Sequence, residues 1–226
     1  MIQNINRHIF FTTIILVATI VFFGASDVDT LLQDKFFDTQ THKWILDWGA
    51  QPYKLIFYDG AKRVLIVIAV LVLLSSLIFR KTELVRSYKK GLIIFILSAI
   101  FIPSIVGELK STTNMPCPRD EIRYGGIYPK TAVWEHFENK ELSEKTVKCW
   151  PGGHASGGFA LLSLFFLFKT KRARVAGFVV AQLVGWSMGT YKMLIGDHFL
   201  SHNLITMILA WLIVLIVTKY TYKFVR

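Results

Sequence analysis

Charge is scarce in this 226-residue chain, and acid is scarcer than base. Asp, Glu, Lys and Arg make up 18% of it against 53% hydrophobic residues, which excludes an ordinary soluble domain of this size. Asp and Glu number 15 against 26 Lys and Arg, leaving a net charge of +11. Cysteine is confined to Cys117 and Cys149, so at most one internal bridge can form. No internal repeat and no low-complexity segment is present, which excludes a solenoid or an extended linker.

What the chain has instead is long uncharged runs: Ile9–Ala25, Val64–Phe79, Gly91–Gly107, Ala155–Phe168, Val175–Tyr191 and Asn203–Thr218. Each is close to the length that crosses a bilayer. None alternates as a strand would, and lipid offers no partner to an open backbone, so the runs predict helices. The fold class read from them is all-α: one polytopic membrane domain over residues 1–226 with six transmembrane helices. The helices fall near 9–25, 64–79, 91–107, 155–168, 175–195 and 203–218, with outer loops at 26–63 and 108–153. The first run follows Arg7 as a signal peptide would, but Phe23 and Ala25 make a poor cleavage site, so it reads as a retained helix.

The charges give the direction. Segments around Arg80–Lys90 and Lys169–Arg174, the tail Lys219–Arg226 and Arg7 hold thirteen bases and one acid, Glu83. Residues 26–63 and 108–153 are close to neutral. The positive-inside rule therefore puts both termini in the cytoplasm and the two long segments outside. The basic excess reads as topology and contact with bilayer lipids, not nucleic-acid binding. Residues 26–63 mix aromatic and charged residues, fitting either an interfacial helix anchored by Trp44 and Trp48 or packing over the bundle. Residues 134–148 predict a short surface helix. In an oxidising periplasm Cys117 and Cys149 can pair; the alternative is two buried thiols.

Chemistry concentrates at the outer ends of the helices. Cys149–Phe159 reads Cys-Trp-Pro-Gly-Gly-His-Ala-Ser-Gly-Gly-Phe, a glycine-rich loop turning into a helix. A helix N-terminus suits an anion, glycine lets the backbone approach it, and His154 adds an acid/base. The alternative is a helix-packing segment capped by a histidine. Two other clusters share that face: Lys110 with its proline loop, and Lys192 with Asp197, His198 and His202. Lysines and a helix N-terminus can hold phosphate oxygens, while two histidines divide attack and protonation at phosphorus. His198 and His202, four apart, with His154, could instead ligate zinc, although flanking lysines disfavour a cation.

In their order these residues resemble the type 2 phosphatidic acid phosphatase superfamily. That family's pattern is Lys, six residues, Arg-Pro; then Pro-Ser-Gly-His; then Ser-Arg, five residues, His, three residues, Asp. Here the blocks are Lys110, six residues, Cys117-Pro118; Pro151-Gly152-Gly153-His154; and Tyr191-Lys192, five residues, His198, three residues, His202. The resemblance implies that His198 attacks phosphorus to give a phosphohistidine and that His154 is the general acid. His202 takes the orienting place of the aspartate, with Asp197 as a second candidate. Lys110, Lys192, Gly152 and Gly153 would hold the oxygens, with Arg119 or Arg123 supplying the missing arginine charge. No metal and no cofactor is implied. The implied substrate is a membrane lipid phosphate or diphosphate, of the lipid A, undecaprenyl diphosphate or phosphatidylglycerol phosphate type. A lipid phosphotransferase, or a non-catalytic membrane protein with a vestigial site, are the other readings.

Overall fold

A computed structural model describes residues 4–135 and 147–225. The expected surface helix at 134–148 falls almost wholly outside them. The rest is helical in all six expected places. The elements are α1 (Ile5–Gly24), α2 (Val28–Gln33), a two-residue hairpin of β1 (Phe37–Asp38) and β2 (Lys43–Trp44), and a π-helical turn, Leu55–Gly60, leading into α3 (Ala61–Ile78). They continue with α4 (Glu83–Thr112), α5 (Gly153–Ala160), α6 (Leu164–Leu167), α7 (Lys171–Leu194) and α8 (Leu200–Phe224).

Four helical stretches are long and apolar enough to cross a membrane: Ile5–Gly24, Leu55–Ile78, Glu83–Thr112 and Leu200–Phe224. Of the six expected spans, these four meet that test of length and composition. Gly153–Leu167 is a shorter apolar helix, broken by a 3-10 turn at Leu161–Ser163. α7 is long, but Gln182, Ser187, Thr190 and Lys192 interrupt its apolar character. The Gly153–Ala160 helix is packed inside the bundle, and α7 packs on it through Ala181 and Gly185 while Val175, Val179 and Leu183 face outward. α5 lies against α4, α7 and α8, and α1 lies along α8. The core between them includes Ile94, Ile102, Phe159, Leu162, Ala181 and Val214. α5 and α7 cross closely because Gly158 and Gly185 meet there; a Cβ on Gly158 would stand 2.6 Å from the Gly185 Cα.

Within residues 26–63, Trp44 and Trp48 lie outside the helical segments Val28–Gln33 and Leu55–Gly60. Asp38 closes the hairpin, its Oδ1 accepting from the Gln40 N–H at 2.9 Å and its Oδ2 from the Thr41 hydroxyl at 2.7 Å. This turns Trp44 inward onto Phe37 and Tyr124, with Phe199 in the same buried cluster. Packing over the bundle is therefore the reading that holds for Trp44. Trp48 remains half exposed, with the Lys54 ammonium over its ring.

Candidate active site

Lys110 sits in the last turn of α4, and the chain beyond it is tied down at once. The Thr113 hydroxyl donates to the Trp150 carbonyl at 2.7 Å, and Cys117 is joined to Cys149 by a disulfide. The Cys149 sulfur also lies 2.9 Å from the Asp197 carbonyl oxygen. One bridge thus holds the Lys110 loop and the glycine-rich loop against the turn that carries His198.

That turn, between α7 and α8, is shaped by Gly196 at φ 77°. Only glycine adopts this conformation without strain, and a Cβ there would meet Trp44 Cε2 at 2.3 Å. The Asp197 and His198 N–H groups both donate to the Lys192 carbonyl, at 2.8 and 3.2 Å. The Asp197 carboxylate lies between two cations, the Lys192 ammonium and Arg119 Nη1, the latter at 2.6 Å. Arg119 also donates its N–H to the Gly196 carbonyl at 3.0 Å. Arg123 is turned away and pairs both ways with Asp34, at 2.7 and 2.6 Å. Of the two arginines in this loop, Arg119 is the one beside the clusters.

His198 and His202 face each other through their Nδ1 atoms, 3.3 Å apart, and both are buried. Asp197 is committed to its cations, so His202 is the group beside the His198 ring. Burial first, then His202, Lys110, Lys192 and His154, push the His198 imidazole well below its ordinary value. It is therefore neutral at physiological pH, the form in which a ring nitrogen keeps a lone pair.

Gly152 caps α5, but its N–H is spent on α8, donating to the His202 carbonyl at 3.1 Å and to Thr206 Oγ1 at 2.8 Å. A Cβ on Gly152 would lie 2.7 Å from Asn203 Oδ1, which explains glycine where the resembled pattern has serine. The donors that a helix leaves open are those of its first turn, Gly153, His154 and Ala155. Lys110 Nζ is 3.7 Å from where a Gly153 Cβ would stand. Among the described residues no group of three or more His, Cys, Asp and Glu is arranged to hold a metal ion.

A model of the PAP2 superfamily matches residues 91–226, more than half of the chain. The chain belongs to the PAP2 superfamily. No curated protein and no solved structure matches it. Members of the PAP2 superfamily are phosphatases, so the chain is assigned to phosphoric ester hydrolysis by a membrane-associated protein.

Two side chains beside the PAP2 cluster were not singled out from sequence, and both lie outside residues 91–226. The Tyr58 ring stacks on His154 at 4.0 Å between centroids, with the Lys192 ammonium 4.1 Å from the same ring. Lys62, one turn on, lines with Lys110 and His154 a cleft of about 290 Å³. Most of the remaining lining is apolar, including Leu65, Ile66 and Ala69 from α3 and Phe95 and Ala99 from α4, with Ser156 from α5 as a polar exception. A third missed residue acts from behind. The buried Asp29 carboxylate accepts from the Ser201 N–H at 2.9 Å and so fixes the first turn of α8, next to His202. Nothing in a linear reading pairs a residue near position 29 or 60 with one near 200. The one available signal was an aromatic and a lysine just ahead of an apolar run.

Proposed function

We propose that this protein is an integral membrane phosphatase that hydrolyses a lipid phosphate or diphosphate through a phosphohistidine intermediate, at the periplasmic side of a bacterial inner membrane. The observation that carries the reading is the buried His198 ring, with Nδ1 facing His202 and with Lys110, Lys192 and His154 around it. With the Nδ1 proton directed to His202, Nε2 of His198 holds the lone pair. Burial and then Lys192, Lys110 and Lys62 hold the free His154 imidazole down to about 3, so it takes up its proton with the anionic substrate, whose charge offsets those lysines. The His198 nitrogen attacks phosphorus, the N–P bond forms, and the bond from phosphorus to the leaving oxygen breaks as the protonated His154 gives that oxygen its proton. His154, now a base, takes a proton from water; the water oxygen bonds to phosphorus, the N–P bond breaks, and phosphate leaves. Lys110, Lys192 and the first-turn N–H groups of α5 balance the charge on the three oxygens. Arg119 reaches the same place through Asp197. His202 holds the ring of His198, a task a carboxylate performs more strongly because it also stabilises the imidazolium. The cleft below His154 suits a tail that stays in the bilayer while its phosphate reacts.

Purified protein in detergent with EDTA should release phosphate from a panel of lipid phosphates, and His198→Ala should not. Equal release by the two proteins across the panel contradicts the reading. Loss of activity in EDTA that zinc restores would replace it with a metal-dependent one.

A further inference from the structure

The cations around the site outnumber what one phosphoryl group needs. Lys110 and Lys192 already face it, and Arg119 stands behind Asp197. Lys62 is a further one, and it makes no ion pair among the described residues. It lines the cleft on the same α3 wall as Leu65, Ile66 and Ala69. These positions recur at helical spacing, so the wall runs about 10 Å along α3 at 1.5 Å per residue.

This sets an order along a bound substrate, given the phosphatase reading on which the inference rests. The reacting phosphorus lies at His198, Lys110 and Lys192. The leaving oxygen lies at His154. The next group is the one at the mouth of the cleft, beside Lys62, and the tail follows between α3 and α4. In a lipid monoester that next group is carbon. In a lipid diphosphate it is a second phosphate, which is what an ammonium at this point would hold.

We propose that Lys62 is a specificity-determining residue, binding a second anionic group on the leaving side of the scissile bond and so favouring lipid diphosphates over monoesters. The leaving group of a diphosphate is itself a phosphate ester, a much weaker base than an alkoxide, so His154 has less to do on such a substrate. A lysine that only snorkels to the interface would show neither preference.

The test compares farnesyl diphosphate with farnesyl phosphate, which share one tail. Lys62→Ala should lower kcat/KM for the diphosphate by about 10- to 50-fold, the worth of one charge-assisted hydrogen bond, and by less than about threefold for the monophosphate. Lys62→Arg should restore most of the loss. The same two ligands are also measured as binding to His198→Ala protein with and without Lys62→Ala, which needs no turnover. Equal losses on both substrates, or no preference for the diphosphate in that binding measurement, overturn the proposal. A clear Lys62-dependent preference in binding, in a protein that hydrolyses neither ligand, would keep the proposal and sink the phosphatase reading.

Discussion

The two parts of the chain stand in different relations to the site. Residues 91–226, the part matched by the family, contribute Lys110, His154, Lys192, His198 and His202, and α8 is 61% buried over its apolar window. The first 90 residues contribute α1 and the Leu55–Ile78 stretch, whose apolar windows are 0% buried, with Phe10, Ile14, Leu71 and Leu74 facing outward. Yet this outer part supplies Tyr58 against His154, Lys62 in the cleft, Trp44 under Gly196 and Asp29 on the first turn of α8. The difference separates two tasks. In the proposed mechanism one part carries the reacting groups, while the other walls the site and holds its geometry.

That division puts the largest losses in residues 91–226. His198→Ala should reduce phosphate release by at least about 10⁴-fold, since no other group replaces the nucleophile. His154→Ala should cost about 10²- to 10³-fold on a monoester, the range of general acid catalysis. Steady-state phosphate release checks both. Tyr58→Leu removes a stacked wall and no reacting group, so kcat/KM should fall by roughly tenfold, the range of one aromatic contact with some loss of alignment. A loss as large as that of His198→Ala would place Tyr58 in the chemistry and break the comparison.

The histidines and lysines were legible in sequence because family spacing and topology fix them locally: each block lies within about ten residues at one helix end. The six helical segments were legible from their apolar runs. Four of them also reach the length and hydropathy of a full span, whereas Gly153–Leu167 is shorter and α7 is interrupted by Gln182, Ser187, Thr190 and Lys192. Trp44 had two readings until the hairpin turned it inward. Asp29 gave no signal and Lys62 only the weak one of a lysine ahead of an apolar run, since each gains meaning from partners distant in the chain, Ser201 for Asp29 and Lys110 and His154 for Lys62.

Two smaller effects sharpen the link between the parts. Gly196→Ala should destabilise the protein by about 2 kcal/mol or more, through positive φ and the clash with Trp44. Adding Trp44→Leu should recover part of it, and a double-mutant cycle in thermal unfolding checks that the clash is shared. The smallest effect concerns pH. Burial raises Asp29 to about 6 and Glu121 to about 7. Both line one small cavity of about 30 Å³. In this range the folded protein binds more protons than the unfolded chain, so stability from these groups is greatest below about pH 4 and is lost as pH rises to about 7. Glu121→Gln should therefore raise the apparent Tm at pH 8 by about 3 °C and change it little at pH 5. A fall at pH 8 would show that the Glu121 charge is stabilised rather than merely buried.

The most direct test of the central claim is to stop the reaction during turnover and look for phosphate on the protein. Rapid quenching into alkali with a labelled lipid phosphate, followed by peptide mass spectrometry, should find an acid-labile phosphoryl group on His198, absent from His198→Ala and longer-lived in His154→Ala. Phosphate release by the wild-type protein with label on another residue, or with none on the protein at any time point, would contradict attack by His198.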